Sequence, residues 1–106
     1  MYIYNVTVNV EKQILQDWLT WMKTEHIPEV LATGMFTECM LNKVMVEEEQ
    51  GETYALQYTA KDMQSLKLYQ ELYAPDLKQK TLDRFGDKCL AFRTILRVED
   101  RFSHDK

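Results

Sequence analysis

Two side chains in the sequence stand out for their chemistry, His26 and Arg93. An unperturbed imidazole titrates near neutral pH, so His26 could serve as a general acid or base. A guanidinium can hold a carboxylate or phosphate through two parallel hydrogen bonds, which makes Arg93 a candidate ligand-binding residue. The sequence therefore offers His26 as a candidate catalytic residue and Arg93 as a candidate anion-binding residue.

Each of these two residues also has a structural interpretation. His26 lies where a helix is predicted to end, and its ring could cap that end or bond a backbone carbonyl. We favour this interpretation because no nucleophile or metal partner is visible beside the histidine. Arg93 could instead form an ion pair with Glu38 or with a partner subunit, and we weigh that evenly against ligand binding.

Three polar residues on predicted strands, Asn5, Thr7 and Gln57, could complete a ligand-binding pocket. The alternative, which we favour, is that they pair across strands or across a dimer axis. Trp18 and Trp21 are interpreted as core and interface packing.

The elements that must position these residues follow from hydrophobic periodicity. Alternation predicts strands over 2–10, 36–47, 53–60 and 88–98, and helical spacing predicts helices over 11–26, 29–33 and 62–73, with a further helix ending at Gly86. Pro28 and Pro75 are expected to interrupt the helices. A charged hairpin turn is predicted up to Glu52, with Gly51 supplying its permissive backbone.

This order, β-α-β-β-α-β, predicts an α+β ferredoxin-like fold, with a four-stranded antiparallel sheet in the order 4-1-3-2 and both helices on one face. Cys39 and Cys89 then lie on opposite edge strands, so we expect no disulfide within one chain. Leu90, Phe92 and Leu96 are predicted to face the helices. The helix-free face is predicted to carry Ile3, Asn5, Thr7, Ala55, Gln57, Ala91, Arg93 and Ile95.

The helix-free face mixes polar and apolar residues, and this mixture predicts a homodimer formed through that face. The leading hypothesis is a homodimer that encloses a binding space for a small polar or anionic molecule between its two sheets. A second hypothesis is a cofactor-independent enzyme, of the monooxygenase or isomerase kind, in which His26 transfers a proton and Arg93 holds an anionic oxygen. A third is a dimeric interaction module without a ligand.

Composition excludes several classes of function. The net charge of -4 and the pI of about 5.1 disfavour nucleic acid and anionic membranes as partners. We expect no cofactor and no metal, since the chain has no glycine-rich phosphate loop, no dinucleotide fingerprint and no metal-ligand spacing.

The 106 residues predict one domain, 1–106, with a polar tail over 98–106. Two isolated cysteines and no signal-peptide pattern predict a cytoplasmic protein.

Four stretches carry a resemblance to a known family: YNVTVNV (4–10), WLTWMKTEHIPEVLATGMF (18–36), YAPDL (73–77) and RFGDKCLAFRT (84–94). Over nearly its whole length the chain resembles a group of short bacterial proteins known only as a domain of unknown function. More loosely, it is similar to the dimeric α/β-barrel superfamily, which includes cofactor-independent monooxygenases, haem-degrading enzymes, isomerase-like proteins and stress-induced proteins. The resemblance implies a dimeric α/β barrel, but it implies no reaction and no catalytic residues.

Overall fold

The computed structural model describes residues 1–47 and 50–104. Its four strands are β1 (Tyr2–Val10), β2 (Glu38–Lys43), β3 (Glu52–Ala60) and β4 (Cys89–Arg97). They form one antiparallel sheet in the order β2-β3-β1-β4, which confirms the predicted ferredoxin-like arrangement. β2 is an edge strand as predicted, but it is shorter than the predicted 36–47. Glu48 and Glu49 of the predicted charged turn lie outside the described residues.

The sheet order separates the two cysteines. Cys39 of β2 pairs with Tyr58 of β3, and Cys89 at the start of β4 pairs with Val10 of β1. Because β2 and β4 are opposite edges of the sheet, the two thiols lie on opposite sides of the domain, as predicted. Both cysteines are free.

Two helical runs cover one face of the sheet. The first comprises α1 (Leu15–Trp21), a π-helical turn (Met22–His26) and α2 (Ile27–Ala32), and the second comprises α3 (Met63–Leu68), a π-helical turn (Tyr69–Tyr73) and α4 (Ala74–Phe85). Short 3-10 turns at Lys12–Ile14 and Gly86–Lys88 join helices to strands. No helix within 1–47 and 50–104 has the length and apolar character needed to cross a bilayer.

The prediction that the two prolines interrupt the helices is wrong, because each helical run continues past its proline. Pro28 and Pro75 each lie in the first turn of an α-helical segment that continues directly from a π-helical turn, so neither helical run stops there. A proline has no backbone N–H, and its ring cannot fit against the carbonyl of the preceding turn in a regular α-helix. A π-helical turn widens the backbone at that point, which relieves the conflict without ending the helix.

The core lies between this helical layer and the sheet. Its most deeply buried large side chains are Trp18, Leu56, Leu66, Val10 and Val30, which come from both layers. Trp18 is 1% exposed and Trp21 is 6% exposed, which confirms that both indoles belong to the core. An aromatic cluster continues it, in which the ring of Phe36 lies 4.7 Å from Tyr69, 5.2 Å from Tyr58 and 5.9 Å from Tyr4, between centroids.

The turn before β3 depends on a glycine. Gly51 has φ of 76°, and a Cβ atom built on it would lie 2.6 Å from the carbonyl oxygen of Val10 and 2.7 Å from Oδ1 of Asn9. An alanine there would combine an unfavourable left-handed backbone with a clash against backbone. We therefore expect Gly51→Ala to lower the free energy of unfolding by at least about 2 kcal/mol in urea denaturation.

Gly34→Ala is the matched control for that experiment. Gly34 has φ of 79°, but a Cβ atom there would meet nothing within 4 Å. Its substitution by alanine is expected to cost about 1 kcal/mol, from the backbone alone. Equal losses of stability in the two variants would contradict the role assigned to the close approach at Val10.

Candidate functional site

The helical layer does not close tightly over the sheet, and a cavity of about 220 Å³ remains between the two layers. Its apolar wall comes from β1, β3 and the helices, through Val6, Val8, Trp18, Leu56, Leu77 and Leu82. Its polar groups include Tyr4, His26, Tyr58, Tyr69, Lys78 and Arg93. An apolar cavity with a few converging polar groups is the usual form of a small-molecule site.

Arg93 lies on the face of the sheet opposite to the predicted one. The register pairs Arg93 with Val6, whose side chain is buried under the helices, so Arg93 shares the helix-covered face. Side chains directly opposite each other in an antiparallel pair project to the same side. The prediction failed because β4 carries apolar residues at both alternating sets of positions, and the larger set was assigned to the core.

The correction moves the large apolar residues of β4 to the helix-free face. Leu90, Phe92 and Leu96 pair with Asn9, Thr7 and Ile3 of β1, and they are 64%, 67% and 42% exposed. The predicted contact of these residues with the helices is therefore wrong. Ala91, Arg93 and Ile95 accordingly do not belong to the helix-free face.

The structure divides the predicted ligand-binding residues between the two faces of the sheet. Asn5 and Gln57 are direct cross-strand neighbours on the helix-free face, with Thr7 beside them, as predicted. Nδ2 of Asn5 donates to Oγ1 of Thr7 at 3.3 Å, and Oε1 of Gln57 accepts from Nδ2 of Asn42 at 3.4 Å. These three residues do not line the cavity that contains Arg93 and His26.

His26 is held at the cavity by aromatic packing. It is the last residue of the first π-helical turn, and its ring stacks on Trp21 with centroids 4.9 Å apart and planes 24° apart. Trp21 in turn contacts the edge of Phe85 at 5.5 Å. The predicted helix-capping role is wrong, because the helix continues through His26 into α2.

The imidazole of His26 is kept neutral. Burial lowers its pKa to about 4, and the positive charges of Arg93 and Lys80 act in the same direction, while the carboxylate of Glu29 opposes them. Nδ1 is buried and has no hydrogen-bond partner within 1–47 and 50–104. The ring therefore meets the cavity as an uncharged group.

This low pKa predicts a loss of stability in acid. The unfolded imidazole has its ordinary pKa of about 6.5, so between pH 6.5 and about 4 the unfolded state binds more protons than the folded state. The free energy of unfolding should therefore fall as the pH falls through this window, by on the order of 2 kcal/mol.

Urea denaturation at pH 7 and pH 4.5 measures this loss, with His26→Asn as the control that should remove most of it. NMR of the imidazole Cε1 proton gives a second readout. A His26 resonance that titrates with a midpoint between pH 6 and 7 would contradict the burial argument.

Three tyrosine hydroxyl groups complete the polar side of the cavity. Burial raises the pKa of Tyr4, Tyr58 and Tyr69, and the positive charge of Arg93 partly opposes this for Tyr4 and Tyr69. All three therefore stay protonated and can donate a hydrogen bond to a bound molecule. The sequence pattern did not indicate this convergence, because alternation alone cannot show that three strand and helix positions meet at one cavity.

The predicted ion pair between Arg93 and Glu38 is wrong, because Glu38 lies on the opposite edge strand. No carboxylate lies within 4.0 Å of the Arg93 guanidinium in the part of the chain that the structure describes. The guanidinium is instead close enough to shift the pKa values of Tyr4, His26 and Tyr69. Over the same residues, no group of three histidine, cysteine or acidic side chains is arranged to hold a metal ion.

Comparisons with known proteins agree with this fold. A family model described as "Domain of unknown function (DUF4286)" matches residues 1–99. A dimeric ferredoxin-like protein from an uncultured marine organism has a similar structure, with a TM-score of 0.71 and 15% sequence identity over 98% of this chain and 100% of that one. A candidate antibiotic biosynthesis monooxygenase from Deinococcus radiodurans is also similar, with a TM-score of 0.61 and 13% identity over 100% of both chains. A search of curated proteins gives no match.

Proposed function

We propose that this chain, which belongs to the DUF4286 family, binds a small anionic molecule in the cavity between its helices and its sheet and works as a homodimer. The observation that carries the binding proposal is the charge of the cavity wall. Arg93 and Lys78 line it, and no aspartate or glutamate of the described chain does, although the protein as a whole is acidic. Such a site attracts anions and repels cations.

The residues of the cavity wall also indicate what kind of ligand would fit. Most of the wall is apolar, and its polar groups are hydrogen-bond donors or the neutral imidazole of His26. A ligand with a hydrocarbon or aromatic body and one acidic end matches both parts of the wall. This ligand replaces the predicted one between two sheets, because Arg93 lies on the helix-covered side.

Titration of the ¹⁵N-labelled protein with benzoate, followed by NMR, tests this proposal. Benzamide is the matched control, since it has nearly the same size and shape but no charge. We expect benzoate to shift the amide resonances of α4 and β4 and benzamide to shift them far less. Equal effects of the two compounds would refute an anion site, and no effect of either would refute the cavity as a binding site for small aromatic molecules.

The homodimer is proposed to form through the helix-free face of the sheet. The exposed residues Leu90, Phe92 and Leu96 of β4 supply its apolar contact area. Asn5, Thr7 and Gln57 lie in the middle of this face, where their polar side chains can meet those of the second copy across the interface. The similar ferredoxin-like protein is itself dimeric.

A cytoplasmic location is part of this proposal, because Cys39 and Cys89 are free thiols, which are typical of reducing compartments.

A second candidate function is cofactor-independent proton-transfer catalysis in the same cavity. One observation favours it: His26 and Arg93 line one cavity, and neither has a hydrogen-bonding carboxylate partner in the described chain. A neutral imidazole can accept a proton while a guanidinium stabilises the oxyanion that forms. The similarity to a candidate monooxygenase is compatible with this chemistry.

Deuterium exchange into phenylpyruvate, an acid with an exchangeable carbon-bound proton, tests this second function. Accelerated exchange in D₂O that is lost in His26→Gln would support it. Exchange at the same rate with and without the protein would count against catalysis and leave binding as the function.

A further inference from the structure

Lys78 is a second cation at the cavity, and the helix layer supplies it. Lys78 lies on α4 and Arg93 on β4, so the two charges approach the cavity from opposite layers of the domain. Burial lowers the pKa of Lys78, and the positive charge of Arg93 lowers it further, so the two groups are close enough to repel each other.

The neighbouring lysine on the same helix provides the contrast. Lys80 forms an ion pair with Glu29 of α2 and does not line the cavity. Lys78 has no ion-pair partner among residues 1–47 and 50–104. The chain thus pairs one lysine of α4 with an acid and leaves the other beside an arginine.

The two cations lie at the opening of the cavity. Lys78 and Arg93 are exposed, whereas Trp18 and Leu56, which line the same cavity, are each 1% exposed. A bound molecule can therefore place its charged end between the two cations and its apolar part against the buried wall. An anion in this position attracts both cations and so offsets the repulsion between them.

We propose that Lys78 and Arg93 together bind a compact head group with two negative charges, so that the ligand is a small amphipathic dianion. The head group is a phosphate monoester or a pair of adjacent carboxylates. A single carboxylate would be satisfied by the guanidinium alone and would leave the repulsion from the second cation uncompensated. This inference rests on the proposed function, because it assumes that the cavity binds an anion.

The volume of the cavity limits the apolar part of this ligand. At about 220 Å³ the cavity is smaller than the roughly 300 Å³ at which sites for drug-sized molecules begin. One aromatic ring with its head group is therefore the expected size. The rings of Tyr4 and Tyr69 line the cavity and pack edge-to-face on each other, 5.6 Å apart and tilted by 64°, so part of the wall beside such a ring is aromatic.

Three single-ring probes test the proposal by NMR titration at pH 8: benzoate with one charge, and phenyl phosphate and phthalate with two. A phosphate monoester is almost fully doubly charged at this pH, since its second pKa is about 6. We expect at least one dianion to bind about tenfold more tightly than benzoate. Tighter binding of phenyl phosphate would identify the head group as a phosphate, and tighter binding of phthalate as a dicarboxylate.

The variant Lys78→Gln separates the two cations. It is expected to weaken binding of the preferred dianion about tenfold and binding of benzoate by less than about twofold, while Lys78→Arg should keep the preference. Lys67→Gln is the matched control, because it changes the net charge equally but lies on α3 and does not line the cavity. It should change neither affinity.

Two outcomes would overturn the proposal while leaving the proposed function intact. One is benzoate binding as tightly as both dianions, and the other is Lys78→Gln weakening all three probes by the same factor. If none of the three probes shifted any resonance, both the dianion proposal and the anion-binding function would be refuted.

Discussion

Phe92→Asp is expected to convert the homodimer into a monomer at micromolar concentration. Phe92 projects from the centre of the helix-free face of β4 and is 67% exposed in the single chain. Burying its ring in an interface contributes about 2 kcal/mol for each copy, and a carboxylate in the same place would be buried without a partner. The dimer dissociation constant should therefore rise at least about a hundredfold.

Sedimentation velocity measures this change, and Leu72→Asp is its matched control. Leu72 is 62% exposed and lies in the second π-helical turn, away from the proposed interface. Leu72→Asp introduces the same charge outside the proposed interface, so this variant should remain dimeric. A Phe92→Asp protein that stayed dimeric would contradict the proposed interface, and a monomeric unaltered protein would contradict the dimer itself.

Arg93→Gln is expected to weaken benzoate binding at least about tenfold. Hydrogen bonds to a charged group are worth about 1.5–3 kcal/mol, and the exposure of Arg93 places the effect toward the lower end of that range. Glutamine keeps part of the length and polarity of the side chain, so the loss reports the charge and the paired donors.

Arg97→Gln is the control for that measurement, made by the same NMR titration. Arg97 lies on the same strand, does not line the cavity, and pairs with Glu99 with its Nη2 atom 2.6 Å from Oε2. The control should bind benzoate as the unaltered protein does. If Arg93→Gln bound benzoate with unchanged affinity, the guanidinium would not be the anion-binding group.

The fold could be predicted because its signals are local. The strict alternation of 2–10 and 53–60 and the helical spacing between them determine the element order, and the element order leads to the sheet order. The π-helical turns could not be predicted in this way. They replace a complete break at Pro28 and Pro75 with a widened turn, and a proline within a helical pattern does not by itself show which of these two outcomes the backbone adopts.

The candidate site was predicted in part. His26 and Arg93 were selected for their chemistry, and both line the same cavity. The predicted face of Arg93 was wrong because β4 is apolar on both of its faces. Large apolar residues occupy every second position on one face, and Ala91 and Ile95 lie on the other, so the strand gives two competing periodicities. Lys78 was missed entirely, since a single lysine on an amphipathic helix has no distinctive spacing.

The alternation of β4 places Phe92 and Arg93, two consecutive residues, on opposite sides of the sheet. The proposed interface and the proposed binding site are therefore separated by the thickness of one strand. Thermodynamic linkage makes any influence between them mutual: if a bound anion tightens subunit association by some factor, association must increase the affinity for the anion by that same factor. Ligand affinity measured against protein concentration would then report how strongly this single strand couples the two sides.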